Sequence, residues 1–201
     1  MKKIILLALT VSITGFAIGQ KKEEAYKINS SVSKIEWTGK KVTGKHNGEI
    51  SISNSDLLVK NGAIQGGTIT VDMTSITCSD MQGEMGEKLV GHLKSDDFFA
   101  VDKFNTAVYV IKSIKPIKGA TEGKPNNTIS GDLTIKGITH ELSFPAIISV
   151  KDDNIVTVGE VTIDRTIYDV RYGSATFFEN IGNKAISNDF TLNFKLAASK
   201  K

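Results

Sequence analysis

Asp189-Phe190-Thr191-Leu192-Asn193-Phe194-Lys195-Leu196-Ala197 sets Phe190, Leu192, Phe194 and Leu196 on one side and Thr191, Asn193 and Lys195 on the other. A period of two with one polar face marks a half-buried antiparallel strand. The same alternation recurs upstream. Gly48, Ile50 and Ile52 oppose Glu49, Ser51 and Ser53, and Ile69, Val71 and Met73 oppose Thr68, Thr70 and Asp72. Ile129, Leu133 and Ile135 oppose Thr128, Ser130, Asp132 and Thr134 in the same way. Eight such runs are predicted, over 33–43, 46–58, 62–73, 105–118, 127–136, 138–151, 155–166 and 187–197. Lys136-Gly137 and Asp152-Asp153-Asn154 punctuate them as hairpin turns do, and 119–127 reads as a polar hairpin tip.

Two gaps, 74–104 and 167–186, interrupt the series. The first holds a helical period, with Met85, Leu89 and Leu93 recurring every fourth residue, and predicts a helix over about 84–94. Phe98-Phe99 then anchor its exit on the strands. The fold class expected is all-β, an eight-stranded antiparallel lipocalin-like barrel with this one helix packed on it. A two-layer sandwich uses the same strands, but closure removes the edges. An outer-membrane barrel is excluded, because the many Lys, Asp, Asn and Thr side chains would then face lipid or crowd a narrow lumen.

The chain has 201 residues, 25 Lys+Arg against 22 Asp+Glu, 40% hydrophobic residues and one cysteine. Residues 1–19 read as a secretory signal peptide, with Lys2-Lys3, an apolar run from Ile4 to Ile18, and Ala17-Ile18-Gly19 at the cleavage point. The remainder, 20–201, is expected to form one barrel domain. Without Lys2 and Lys3 the net charge falls from +3 to +1, too little for a nucleic-acid partner. No integral membrane span is expected, since the leader run is short and interrupted and no later segment is apolar enough. Cys78 is alone, so no internal disulfide forms, and the core must carry the fold.

His46, His92 and His140 share no ligand spacing. Cys78, Met81, Met85 and His92 together suit a soft metal such as copper(I). The competing reading makes Met85 core, His92 solvated and Cys78 a small buried apolar residue, and it is preferred, so no metal is expected. No nucleophile elbow, phosphate loop or dinucleotide motif occurs. Asp96-Asp97 and Asp152-Asp153 read as a helix end and a turn. No catalytic residues are expected.

Four segments carry a resemblance. Trp37 to Gly48 (WTGKKVTGKHNG), His92 to Phe99 (HLKSDDFF), Ile129 to Thr139 (ISGDLTIKGIT) and Thr162-Ile163-Asp164-Arg165 resemble, in this order, the YceI-like family. The resemblance spans about Tyr26 to Leu196. Near 168–174 the family more often has a Phe-Gly pair where this chain reads Tyr168-Asp169-Val170-Arg171-Tyr172-Gly173-Ser174. The resemblance implies an extended lipocalin-like barrel, exported to the periplasm or secreted, whose apolar tunnel binds a long isoprenoid, fatty-acyl or quinone-like lipid without catalysis. It also implies that homodimers can form.

Under that reading the candidate lining is Ile35 and Trp37 on the first strand, Ile50 and Ile52 on the second, and Ile69 and Val71 on the third. Phe99 and Phe104 come from the long gap, Leu133, Phe144 and Ile163 from the middle strands, and Phe190, Leu192 and Phe194 from the last. The same side chains serve equally as a packed core, and alternation does not separate the two. Arg165, in register with Val161 and Ile163, is a candidate head-group contact at the mouth, or else the partner of Asp169 or Glu179. If a head-group contact, Arg165→Ala is expected to lose lipid while keeping the fold. His46 is a second candidate at the mouth, or else a turn residue. An exported enzyme acting on a lipid, or a quinone-holding electron-transfer or stress accessory, remains the alternative function.

Overall fold

Hydrogen-bonded ladders join each strand of this chain to a neighbour on both edges. The structure is a computed structural model describing residues 22–201, so the expected leader, 1–19, lies outside the described residues. Its strand segments are β1 (Glu24–Ile28), β2 (Lys34–Lys41), β3 (Gly44–Ile52), β4 (Asp56–Lys60) and β5 (Ala63–Asp72). Then come helix α1 (Gly83–Lys94), β6 (Thr106–Pro116), β7 (Asn127–Ile135), β8 (Ile138–Lys151), β9 (Asn154–Asp164) and β10 (Ile186–Lys200).

From β5 to β10 each strand pairs antiparallel with the next. The free edge of β10 takes β1 near its end (Ile28↔Ala198) and β2 along its middle (Ile35↔Phe194). The free edge of β5 likewise takes β4 (Asp56↔Thr68) and β3 (Ile52↔Val71). Pairings β2–β3 and β1–β4 complete the circuit. β1 with β2, and β3 with β4, therefore each form one interrupted stave, and the ten segments make a closed barrel of eight positions. The predicted strand count and class hold. The first stave begins earlier than expected, at Glu24, because the five residues of β1 give too short a period to read.

Serine side chains mend the interruptions. Ser55, only 1% exposed, accepts a hydrogen bond from the Thr70 N–H at 2.8 Å, and Ser33 Oγ accepts from the Ala197 N–H at 3.0 Å. Each satisfies a ladder amide whose partner strand has broken off. The Lys136-Gly137 turn has φ of 50° and 74°, the left-handed pair that a two-residue hairpin needs to follow strand twist.

After β5 the chain turns through Met73–Ser75 and runs back along the exposed edge of β3. The Thr77 N–H donates to the Glu49 carbonyl at 3.0 Å and the Ser79 N–H to that of Asn47 at 2.8 Å. The approach is close enough to demand glycine. A methyl group on Gly48 would lie 1.9 Å from the Thr77 carbonyl oxygen and 2.8 Å from Trp37 Nε1. Gly48→Ala is expected to cost about 3 kcal/mol, the upper range for overpacking, because both obstacles are tied down. Urea unfolding measures it, and a midpoint unchanged from wild type would refute the steric reading.

Helix α1 sits where predicted, but its buried face differs. Gly86 and Leu93 are buried, with Leu89 packed beside them, whereas Met85 is 64% exposed. The stripe is turned by one residue because Gly86 lets the helix approach the Met81 backbone, 2.6 Å from where its Cβ would be. Two further members of the candidate soft-metal group, His92 and Cys78, also depart from expectation. His92 is not solvated: it is half-buried between the rings of Phe98 (5.6 Å) and Tyr172 (4.4 Å). Cys78 is not buried: it is partly exposed, its thiol donating to Asp80 Oδ1 at 3.4 Å.

Candidate functional site

Inward-facing side chains of the eight positions do not meet across the barrel. They leave two chambers with cavity volumes of about 110 Å³ and about 130 Å³, stacked along the lumen. Packed interiors have few voids larger than a water molecule, so this lumen is not a filled core. Val71, Ala107, Leu133, Ile163 and Leu192 line both chambers and form the waist between them.

The lower chamber is walled by aliphatic residues and by one aromatic run. Tyr109 lies 5.5 Å from Phe144, which lies 5.6 Å from Phe194. Glycines on neighbouring strands make room for these rings. A Cβ on Gly159 would fall 2.6 Å from Phe194 Cζ, and one on Gly131 would fall 2.9 Å from Tyr109 Cζ. The Tyr109 hydroxyl donates to the Leu142 carbonyl at 3.0 Å, and burial, seconded by Asp132 and Glu141, pushes its pKa up. Thr157 brings a hydroxyl to this wall.

The upper chamber lies under α1 and its exit. Trp37, Ile50, Phe98, Phe99 and Phe190 line it, with Phe99 5.1 Å from Phe98 and 6.4 Å from Phe190. Trp37 is held by its indole N–H, which donates to the Thr77 carbonyl at 3.0 Å. Arg165 closes the wall at 2% exposure. It opens a short helical turn, Arg165–Tyr168, capped by Asp164, whose carboxylate accepts from the Thr166 N–H at 2.8 Å.

Arg165 makes neither of the ion pairs considered for it. Its Nε donates to the Ser187 carbonyl at 2.9 Å, Nη2 to that of Ile186 at 3.2 Å, and Nη1 to that of Val170. Its guanidinium lies 5.3 Å from the Phe98 ring centre. Asp169 pairs instead with Arg171 at 3.0 Å. Burial pulls the Arg165 pKa down, with the Asp164 charge opposing. A guanidinium has five N–H donors, so one remains on each terminal nitrogen. Because three carbonyls depend on this side chain, the expectation that Arg165→Ala would spare the fold is corrected.

Of the candidate lining residues, all but Ile52 and Phe104 reach one chamber or the other. Ile52 is buried at 6% exposure but belongs to the packed junction where β3 breaks off. Phe104 lies against Gly137 at the β7–β8 turn, because the chain has left the lumen before β6 returns to it. Sequence reading missed Ala107, Tyr109 and Ile111 on β6, Leu142 on β8 and Leu196 on β10. Their signal was available, since they continue the same period of two. Phe98 was seen as an anchor and not as a wall residue.

His46 lines neither chamber. It pins the returning segment: Nδ1 is 2.9 Å from Asp80 Oδ2, while the Asn47 N–H donates to Asp80 Oδ1 at 2.9 Å. Burial works against ionisation of Asp80, but the Asn47 N–H, His46 and the Cys78 thiol outweigh it and lower the carboxyl from 3.8 to about 2. A folded-state value below the unfolded one stabilises above the unfolded pKa, and that stability is lost as pH falls through the folded pKa. Asp80→Asn is expected to remove about 1 kcal/mol of stability at neutral pH, after discounting for solvent at this half-open pair. The difference should vanish between pH ~4 and ~2. Urea titrations at stepped pH check this, and a constant difference across that window would sink it.

Among the described residues, no group of three or more His, Cys, Asp and Glu side chains is placed to hold a metal ion, and no helix is long and apolar enough to cross a membrane.

Comparison with known proteins gives a consistent picture. The family model described as YceI-like domain matches residues 26–198. A UPF0312 protein of Staphylococcus aureus strain USA300 is 36% identical over 85 residues, covering 41% of this chain and 44% of that protein. Its counterpart in strain MRSA252 is 51% identical over 53 residues, covering 26% of this chain and 25% of that protein. The chain thus spans less than half the length of these curated relatives. Among solved structures, BcnA of Burkholderia cenocepacia superposes with a TM-score of 0.64 at 19% identity, covering 86% of this chain and 99% of that one. A polyisoprenoid binding domain from Saccharophagus degradans superposes with a TM-score of 0.62 at 12% identity, covering 89% and 99%. At such identities these structures speak for the fold.

Proposed function

Since the chain belongs to the YceI-like domain family, we propose that its lumen binds one long, largely apolar lipid of isoprenoid type, as a carrier or store and not as an enzyme. The observation that carries this reading is the pair of stacked apolar chambers joined at the Ala107 waist. The solved Saccharophagus degradans relative, described as a polyisoprenoid binding domain, supports it. So does the arithmetic of burial. At about 0.8 kcal/mol per buried methylene, a tail of twenty carbons contributes roughly 16 kcal/mol gross. Immobilisation takes ~4–15 kcal/mol of that, leaving roughly 1–12 kcal/mol of binding from hydrocarbon burial before any directed hydrogen bond is counted.

The two unused N–H groups of Arg165 favour a ligand with an oxygen-bearing head at the upper chamber, such as a phosphate, hydroxyl or quinone carbonyl. The leader read over residues 1–19 favours a protein exported to the cell envelope, where such lipids pass between membranes. Organic extraction of purified protein followed by mass spectrometry tests the function. A stoichiometric isoprenoid is the expected result. Empty protein that also fails to take up an added fluorescent polyprenol would overturn it, and turnover of the lipid would replace it with an enzymatic role.

A further inference from the structure

The barrel end around the upper chamber exposes large apolar side chains. Val42 at the tip of the β2–β3 hairpin is 65% exposed, and Tyr172, Phe177 and Phe178 in the loop before β10 are 45%, 46% and 46% exposed. They belong to one surface. The Val42 N–H donates to the Ala185 carbonyl at 3.2 Å, Lys41 pairs with Ile186, and the Ile186 N–H donates to the Gly173 carbonyl at 2.7 Å. Arg171 lies 4.8 Å from the Phe177 ring centre. Contiguous exposed apolar surface with a polar rim marks an interaction site.

Charge identifies the partner. The two segments, 39–45 and 171–189, carry Lys40, Lys41, Lys45, Arg171 and Lys184 against Glu179 and Asp189. Lys40 and Lys45 stand directly opposite across the hairpin, an arrangement that destabilises a ladder unless something anionic answers it. None of the four lysines makes an ion pair among the described residues. Aromatic rings and an aliphatic tip ringed by lysine are the composition that enters the interface of a bilayer with negative surface charge.

We propose that this end of the barrel docks on an anionic phospholipid bilayer, setting the mouth of the upper chamber against the acyl region. Lys40 and Arg165 both line that chamber, so the docked face and the lumen are continuous. The purpose of docking rests on the lipid-binding reading: a hydrocarbon tail entering here leaves the bilayer without crossing water. The existence of the docking surface rests on its own geometry.

Co-sedimentation of the mature chain with vesicles of phosphatidylglycerol and phosphatidylcholine in equal parts tests it. Wild type is expected to bind these vesicles, to bind pure phosphatidylcholine far less, and to dissociate at high salt. Lys41→Gln with Lys45→Gln is expected to weaken partitioning about 30-fold, each lysine near a charged surface giving roughly five-fold. Val42→Asp and Phe177→Ser with Phe178→Ser should weaken it on both compositions, with unchanged urea midpoints. None of these residues lines the lumen, so the lipid recovered by extraction should stay at wild-type level. Vesicle binding by protein that carries no lipid would support docking while removing the cargo. Equal partitioning of wild type and variants would overturn the proposal. So would a dimer in sedimentation velocity that these substitutions dissociate, since the surface would then meet a second copy of the chain.

Discussion

Ala107→Phe is expected to leave the barrel folded and to reduce lipid uptake at least 100-fold. Ala107 sits on β6 at the waist, walls both chambers and is 7% exposed. A phenyl ring there projects into the junction of the two chambers. In a filled core such an insertion costs about 1–3 kcal/mol through forced rotamers and backbone shifts. In an open lumen the ring instead gains contact with Leu133, Ile163 and Leu192 across the waist, and stability should change by less than about 1 kcal/mol. A tail confined to one chamber loses ten or so buried methylenes, or about 8 kcal/mol of gross burial, so the hundred-fold figure is a floor. Urea unfolding and titration with a fluorescent polyprenol read the two effects separately. A variant that unfolds easily, or that still binds at wild-type affinity, would show that the lumen is not one continuous site.

Arg165→Ala is expected to destabilise the fold by about 3–5 kcal/mol, the range for removing one side of a buried charged network. The guanidinium bonds three carbonyls, of Val170, Ile186 and Ser187, and by doing so fastens the turn after β9 to the start of β10. Truncation leaves those buried oxygens without donors, and each such loss carries the full desolvation penalty. Arg165→Lys should recover only part, because an ammonium cannot reach three carbonyls in the planar fork geometry. Thermal and urea unfolding of both variants measure this. A loss below about 1 kcal/mol for Arg165→Ala would mean that solvent or a neighbour replaces the donors.

These two residues show where sequence reading succeeds and where it stops. Ala107 gives a weak apolar signal because it is small, although its position on a strand with Tyr109 and Ile111 follows the same period. Arg165 was correctly placed on the inner side by parity with Val161 and Ile163. Its partners were not legible, since they are carbonyls contributed by residues 170, 186 and 187, and backbone groups leave no mark in composition. Met85 failed for a related reason. A four-residue recurrence defines a stripe, but the close approach at Gly86 turned the stripe. His46 reads in the sequence as a contact at the mouth or else a turn residue, whereas in the structure the returning segment 76–80 claims its ring through Asp80.

What the chain's sequence alone determined is that eight positions are filled by antiparallel strands, and which face most of them bury. These follow from local alternation and turn chemistry, which act over a few residues and are written where they act. Tertiary structure alone decided that the buried faces stand apart instead of meeting. The distance across a closed sheet depends on how many strands close it and how they are staggered, a global property that no single strand encodes.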